Sequence, residues 1–337
     1  MDVHPTGLTD DDFWSGSEEA IEAFRDTRRG EVSEELVLDG PTTVSLSDRG
    51  GLPMHVYWRA PLRRTAASPL QENLRIAVVH LESHWTHVGR AFYVEPQRVF
   101  EPTEPFEPGD GVTTEYRAFD LRARLGLPWK RGTLLVTGLL RDQITNRVRI
   151  RLDDGVGAHR DEEVERFLAE QERLPTAPDV HPLPGSPFPS FARLEGSPPV
   201  PTSAGIALAI ERIVVTRRGA RAVLHGSFRL PVLDRELVSP TAPWQPAAGV
   251  SRERPAAIVP LTLAIVGSGS ARAMIRPMRV PVWGPLEGRE ATGHFAVDLL
   301  TDEDFPAEAQ TFFVYAMSGE ILTGPTLVAT VTPDMLP

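Results

Sequence analysis

Two seven-residue segments lying far apart in the chain, HVYWRAP at 55–61 and HGSFRLP at 225–231, share one pattern: His, two residues, an aromatic, Arg, any residue, Pro. Each follows an Arg-Gly turn, Arg49-Gly50 and Arg218-Gly219, that closes a short β-branched run. Further pairs recur in the same order: EPQRVF at 95–100 with RPMRVP at 276–281, YRAFDL at 116–121 with HFAVDL at 294–299, and TLLV at 133–136 with TFFV at 311–314. Order and spacing repeated over this length mark a duplicated module. Copy one is expected over about 36–152 and copy two over about 204–332. The 337-residue length suits two such domains.

Within each copy the segments are short, rich in Val, Ile, Thr, Phe and Tyr, and separated by Gly, Pro and Asp turns. HFAVDL and TTEYRAFDL alternate apolar and polar residues, as strands do when one face meets a core and the other meets water. The expected fold is all-β, two tandem immunoglobulin-like antiparallel β-sandwiches, with a small barrel as the rival.

Between the copies, 175–201 holds nine prolines. Proline lacks the N–H that a helix or central strand requires, so this stretch is expected to be an extended, fairly stiff spacer. Ahead of it HRDEEVERFLAEQERLP places Val164, Phe167, Leu168 and Leu174 at helical spacing and stops at Pro175, predicting a helix over 160–174. An N-terminal extension, 1–35, carries a second short helix over about 18–28, with Ile21 and Phe24 on its buried side.

Composition narrows the function classes. A net charge of -11 argues against holding nucleic acid by neutralising phosphates. There is no cysteine, which removes disulfides, thiolate metal sites and cysteine nucleophiles. Lys130 is the only lysine, and in the turn-like LPWKRG it is expected to be exposed rather than a Schiff base. The acidic start resembles no signal peptide and no segment has the roughly 20 apolar residues that span a bilayer, so a cytoplasmic protein without a membrane span is expected. GSGS at 267–270 is no nucleophile elbow, and GVG at 155–157 does not continue into a dinucleotide loop. The paired acids Asp153-Asp154, Asp161-Glu162-Glu163 and Asp302-Glu303-Asp304 read as solvated turns and helix starts. No catalytic residues and no organic cofactor are assigned.

One stretch concentrates chemistry. HLESHWTH at 80–87 holds three of nine histidines. It falls where copy one is longer than copy two: Val79 and Pro96 are seventeen apart, Val266 and Pro277 eleven. His80, His84 and His87, with Glu82, are candidate ligands for zinc or copper, and would share a face if the segment were helical. His55 is a distant fourth, although its counterpart His225 points to a scaffold role. The bland reading is an exposed polar loop presenting Trp85.

Two proline-rich loops carry aromatics able to anchor a partner: Phe100 and Phe106 in 99–111, and Trp244 in 239–249. The leading expectation is a non-enzymatic binding or assembly protein acting through protein contacts, including self-association, with Trp85, Phe100, Phe106 and Trp244 as contact residues. A zinc or copper protein built on His80, His84 and His87 is the alternative. A carbohydrate-binding module stacking sugars on Trp85, Trp129 or Trp244 is the third.

Overall fold

The computed structural model describes residues 35–46, 51–62, 64, 69–82, 85–92, 111–128, 130–153, 191, 193–210, 213–215, 221–239, 254–267, 273–283, 285–286, 288–301 and 310–331. The expected helices over 18–28 and 160–174 lie outside these residues, as do 175–190 of the proline stretch.

The described chain is all-β, as its pattern implied. It divides into two units, the first of Met1–Ser83 with His87–Phe167 and the second of Leu168–Pro337 with His84–Thr86. Strands of the first are β1 Glu35–Asp39, β2 Thr43–Ser45, β3 Pro53–Pro61, β4 Arg75–His80, β5 Thr86–Arg90, β6 Val112–Asp120, β7 Gly132–Leu140 and β8 Gln143–Asp153. Strands of the second are β9 Gly205–Ala209, β10 Ile213–Val215, β11 Val223–Pro231, β12 Ala257–Gly267, β13 Ala273–Val282, β14 Glu290–Asp298, β15 Gln310–Ser318 and β16 Ile321–Val331. Two short helices, α1 Leu70–Asn73 and α2 Leu121–Leu125, belong to the first unit.

Each unit has one three-stranded and one five-stranded sheet, and the orders correspond. They are β1-β3-β6 with β2-β8-β7-β4-β5, and β9-β11-β14 with β10-β16-β15-β12-β13. All the described strand pairs are antiparallel save β2 with β8 and β10 with β16, which are parallel in both units. Registers also correspond. His55 lies opposite Ala118 and His225 opposite Ala296; Val79 lies opposite Leu135 and Val266 opposite Phe313. At these positions the sequence repeat is therefore also a repeat of pairing, although the irregularity in β7–β8 falls between Thr137 and Leu139 and that in β15–β16 between Val314 and Ala316.

Alternation explains how these strands make cores. In β8, Val148, Ile150 and Leu152 are buried while Arg147, Arg149 and Arg151 are exposed, a strict period of two. In the second unit both sheets feed one core, with Leu224 and Phe228 of β11 and Phe295 of β14 joined by Leu263 and Ile265 of β12 and Val314 of β15. In the first, Asn146 of β8 bridges the two sheets: its Oδ1 accepts from Leu38 N–H at 2.9 Å and its Nδ2 donates to Leu38 O at 2.8 Å. A side-chain amide there does the work of a neighbouring peptide.

Candidate functional site

His80 is the last residue of β4 and is wholly buried. Its Nε2 lies 3.1 Å from Arg131 O, and since a carbonyl only accepts, Nε2 carries the proton. Its Nδ1 sits 3.7 Å from Glu82 Oε2. Burial pushes the imidazole below its ordinary range, against the opposing pull of Glu82 and the Arg131 carbonyl, so it is held neutral.

Glu82 is engaged as well. Its Oε2 accepts from Thr133 N–H at 2.7 Å and its Oε1 from the Thr133 hydroxyl at 2.9 Å. Partial burial works against the charged carboxylate, but the bonds from Thr133 outweigh it and hold the carboxyl below the usual range. Gly132 lies between the two side chains at a φ of +145°, a conformation that L side chains rarely adopt. Together these groups clasp the end of β4 to the start of β7.

His87 stands half-buried on β5, its imidazole lowered by burial. His80 and His87 therefore belong to separate strands, and the helical face that would have aligned them does not form. His84 lies outside the described residues, among which no group of three potential ligands is gathered. Trp85 is 2% exposed, so it does not present its ring as a contact surface. Phe100, Phe106, Trp129 and Trp244 lie outside the described residues.

A second cluster forms on the outer face of the β9-β11-β14 sheet. Along β11 the even positions Leu224, Phe228 and Leu230 enter the core, which turns His225, Ser227 and Arg229 outward. Opposite Ser227 on β14 stands His294, so the two histidines are diagonal neighbours across the strand pair. Over this face runs the end of the proline stretch. Ser227 Oγ donates to Pro199 O at 2.7 Å and Arg229 Nε to Pro201 O at 3.0 Å.

The match has a simple geometric basis. Two residues advance about 6.2 Å in a polyproline conformation and about 6.8 Å along a strand, so carbonyls two apart meet side chains two apart. Both bonds join residues 28 apart, so the strap runs parallel to β11. Arg229 is braced from the other side by Glu290, with Nη1 3.1 Å from Oε2.

Beneath the strap the histidines are held neutral. Burial lowers His225, and burial followed by the charge of Arg193 lowers His294. Each keeps a buried Nδ1 without a hydrogen-bond partner. Ser227 is wholly buried and its hydroxyl is committed to Pro199 O, so this Ser-His pair does not make a nucleophile. Beside His225 opens a cleft of about 530 Å³, lined by Glu195, Gly196, Ala209, Ile210, Arg221 and Val223 among others.

Sequence reasoning assigned His225 to the scaffold and read the proline stretch as a spacer; the docking of 199–201 on the sheet and the place of His294 were not anticipated. The only advance signal is the matched spacing of Pro199 and Pro201 with Ser227 and Arg229. Among the described residues no helix is long and apolar enough to cross a membrane. No family model matches the chain, and no curated protein does.

Proposed function

We propose that the chain is a non-enzymatic binding or assembly protein that works through protein–protein contacts. The observation that supports this is the outer face of the β9-β11-β14 sheet, which holds an extended proline-rich segment through side-chain bonds to its carbonyls, Ser227 to Pro199 and Arg229 to Pro201. Extended proline-rich peptides are held by other binding domains on the same terms: a preformed conformation costs little ordering entropy, and exposed carbonyls accept side-chain donors.

The duplication fits the same reading. Arg59 and Tyr57 of β3 occupy the strand positions that Arg229 and Ser227 occupy on β11, so the chain carries two versions of one face. Sedimentation of the purified full chain tests self-association. Capture from an extract of the source cell, followed by reconstitution from purified components, tests a foreign partner. A chain that stays strictly monomeric and reconstitutes with no captured protein overturns the proposal.

A further inference from the structure

The proline strap covers two imidazoles that carry a buried, unbonded nitrogen each. We propose that this strap is a pH-sensitive latch: protonation of His225 and His294 releases residues 193–201 from the outer face of the β9-β11-β14 sheet.

Among the described residues, the charged groups nearest the histidines are mostly cationic. Arg193 of the strap faces His294, and Arg221 lines the cleft beside His225. Gly196 of the strap is packed so that a Cβ on it would stand 3.8 Å from the His225 ring. Among the described residues the acids on this side of the unit are occupied or exposed, Glu195 being an exposed residue of the cleft lining. Glu290 is paired with Arg229, and Asp298 accepts the N–H groups of Ala222 and Leu300. A proton added to either histidine therefore meets Arg193 or Arg221 and a covering segment that offers its buried Nδ1 no acceptor. What holds the strap down, the two bonds from Ser227 and Arg229, does not titrate in this range.

The direction follows from linkage. With the strap docked both imidazoles bind protons more weakly than their ordinary value of about 6.5; with the strap lifted into water they return to it. Above pH 6.5 both states are neutral and docking is unaffected. Below it the released state takes up protons that the docked state refuses, so docking weakens down to the docked-state pKa and then levels off. Each histidine changes the docking equilibrium by up to tenfold per pH unit within that window.

Hydrogen exchange of the full chain, read by mass spectrometry on peptides covering 193–210 and corrected for intrinsic rates, tests this between pH 7.5 and 5.0. Protection of the strap amides is expected to fall by tenfold or more below pH 6.5, while amides of β12 and β15 keep theirs. In the His225→Gln, His294→Gln double variant the fall disappears; if that variant does not fold, each single variant is expected to show about half of it on a logarithmic scale. Unchanged strap protection across the range, or an equal fall in the glutamine variants, overturns the proposal.

Discussion

Asp120 and Asp298 do the same job in the two units. Asp120 Oδ1 accepts from Leu52 N–H at 3.0 Å and Ala123 N–H at 3.1 Å; Asp298 Oδ1 accepts from Ala222 N–H and Leu300 N–H, both at 3.1 Å. The following residues match too, Leu121 N–H donating to Leu52 O and Leu299 N–H to Ala222 O. Each aspartate ends its strand, accepts from the turn that follows it, α2 in the first unit and the 3-10 turn Leu299–Thr301 in the second, and ties in the chain entering the central strand of its sheet. A solvated acid in a repeated DL dipeptide would have no reason to recur in this detail.

Removing either carboxylate is expected to destabilise its own unit. Asp298 is the more buried, so Asp298→Ala should cost about 2 kcal/mol and Asp120→Ala about 1 kcal/mol, the usual range for a lost cap and for amides left without an acceptor. Asn at either position keeps the acceptor oxygen and should recover most of the loss. Urea unfolding of the four variants measures this; equal losses for Ala and Asn would show that the bonds are not the cause.

Gly226 lies opposite Phe295 and Gly293 opposite Phe228, a reciprocal pair in which each ring lies against the partner strand's glycine. A methyl group at Gly226 would overlap the Phe295 ring, and one at Gly293 the Phe228 ring. Gly226→Ala is therefore expected to cost about 2 kcal/mol through overpacking. Shortening the opposing side chain should relieve part of it, so Gly226→Ala with Phe295→Leu should be less destabilised than the two losses added. Strict additivity in a double-mutant cycle would contradict the pairing.

Gly132 makes a parallel case in the first unit. A Cβ there would run into His80 Nε2 and Glu82 Oε2, and its φ of +145° is unfavourable for any L side chain. Gly132→Ala should cost about 2 kcal/mol or more in thermal or urea unfolding. Glu82→Gln, which keeps an acceptor but loses the charge, should cost less than about 1 kcal/mol. A neutral Gly132→Ala would mean that the clasp can relax without penalty.

His80 should make stability depend on acidity. Buried and neutral when folded, it binds a proton less readily than in the unfolded chain, whose histidines titrate near pH 6.5. Stability is fully present above that pH and declines as pH falls from about 6.5 towards the lower folded value. His80→Gln can still donate to Arg131 O and cannot titrate. Unfolding measured from pH 7.5 to 5.0 should therefore show a steeper loss for the wild type than for the variant, and equal slopes would contradict this account.

Much of the architecture was legible in the linear pattern. The repeat of HVYWRAP in HGSFRLP and of YRAFDL in HFAVDL located corresponding strands, because side-chain alternation and turn residues are local properties that survive duplication. The pairing of Val79 with Leu135 and of Val266 with Phe313 follows the same correspondence. The extra length read at HLESHWTH is not in that connection: five residues, 81–85, separate β4 from β5, and five, 268–272, separate β12 from β13.

Which side chains meet was decided only in three dimensions. The histidines that looked like ligands by proximity in sequence are divided between β4, β5 and a residue outside the described set, and His80 spends its Nε2 proton on a carbonyl contributed from 51 residues away. His225 and His294, 69 residues apart, become neighbours because β11 and β14 pair, and 199–201 becomes a strap because its carbonyl pitch meets that of a strand. Strand periodicity is written along the chain and needs only local sterics to act. Burial, proton affinity and hydrogen-bond partnership are set by what folding brings close, and no single segment carries that information.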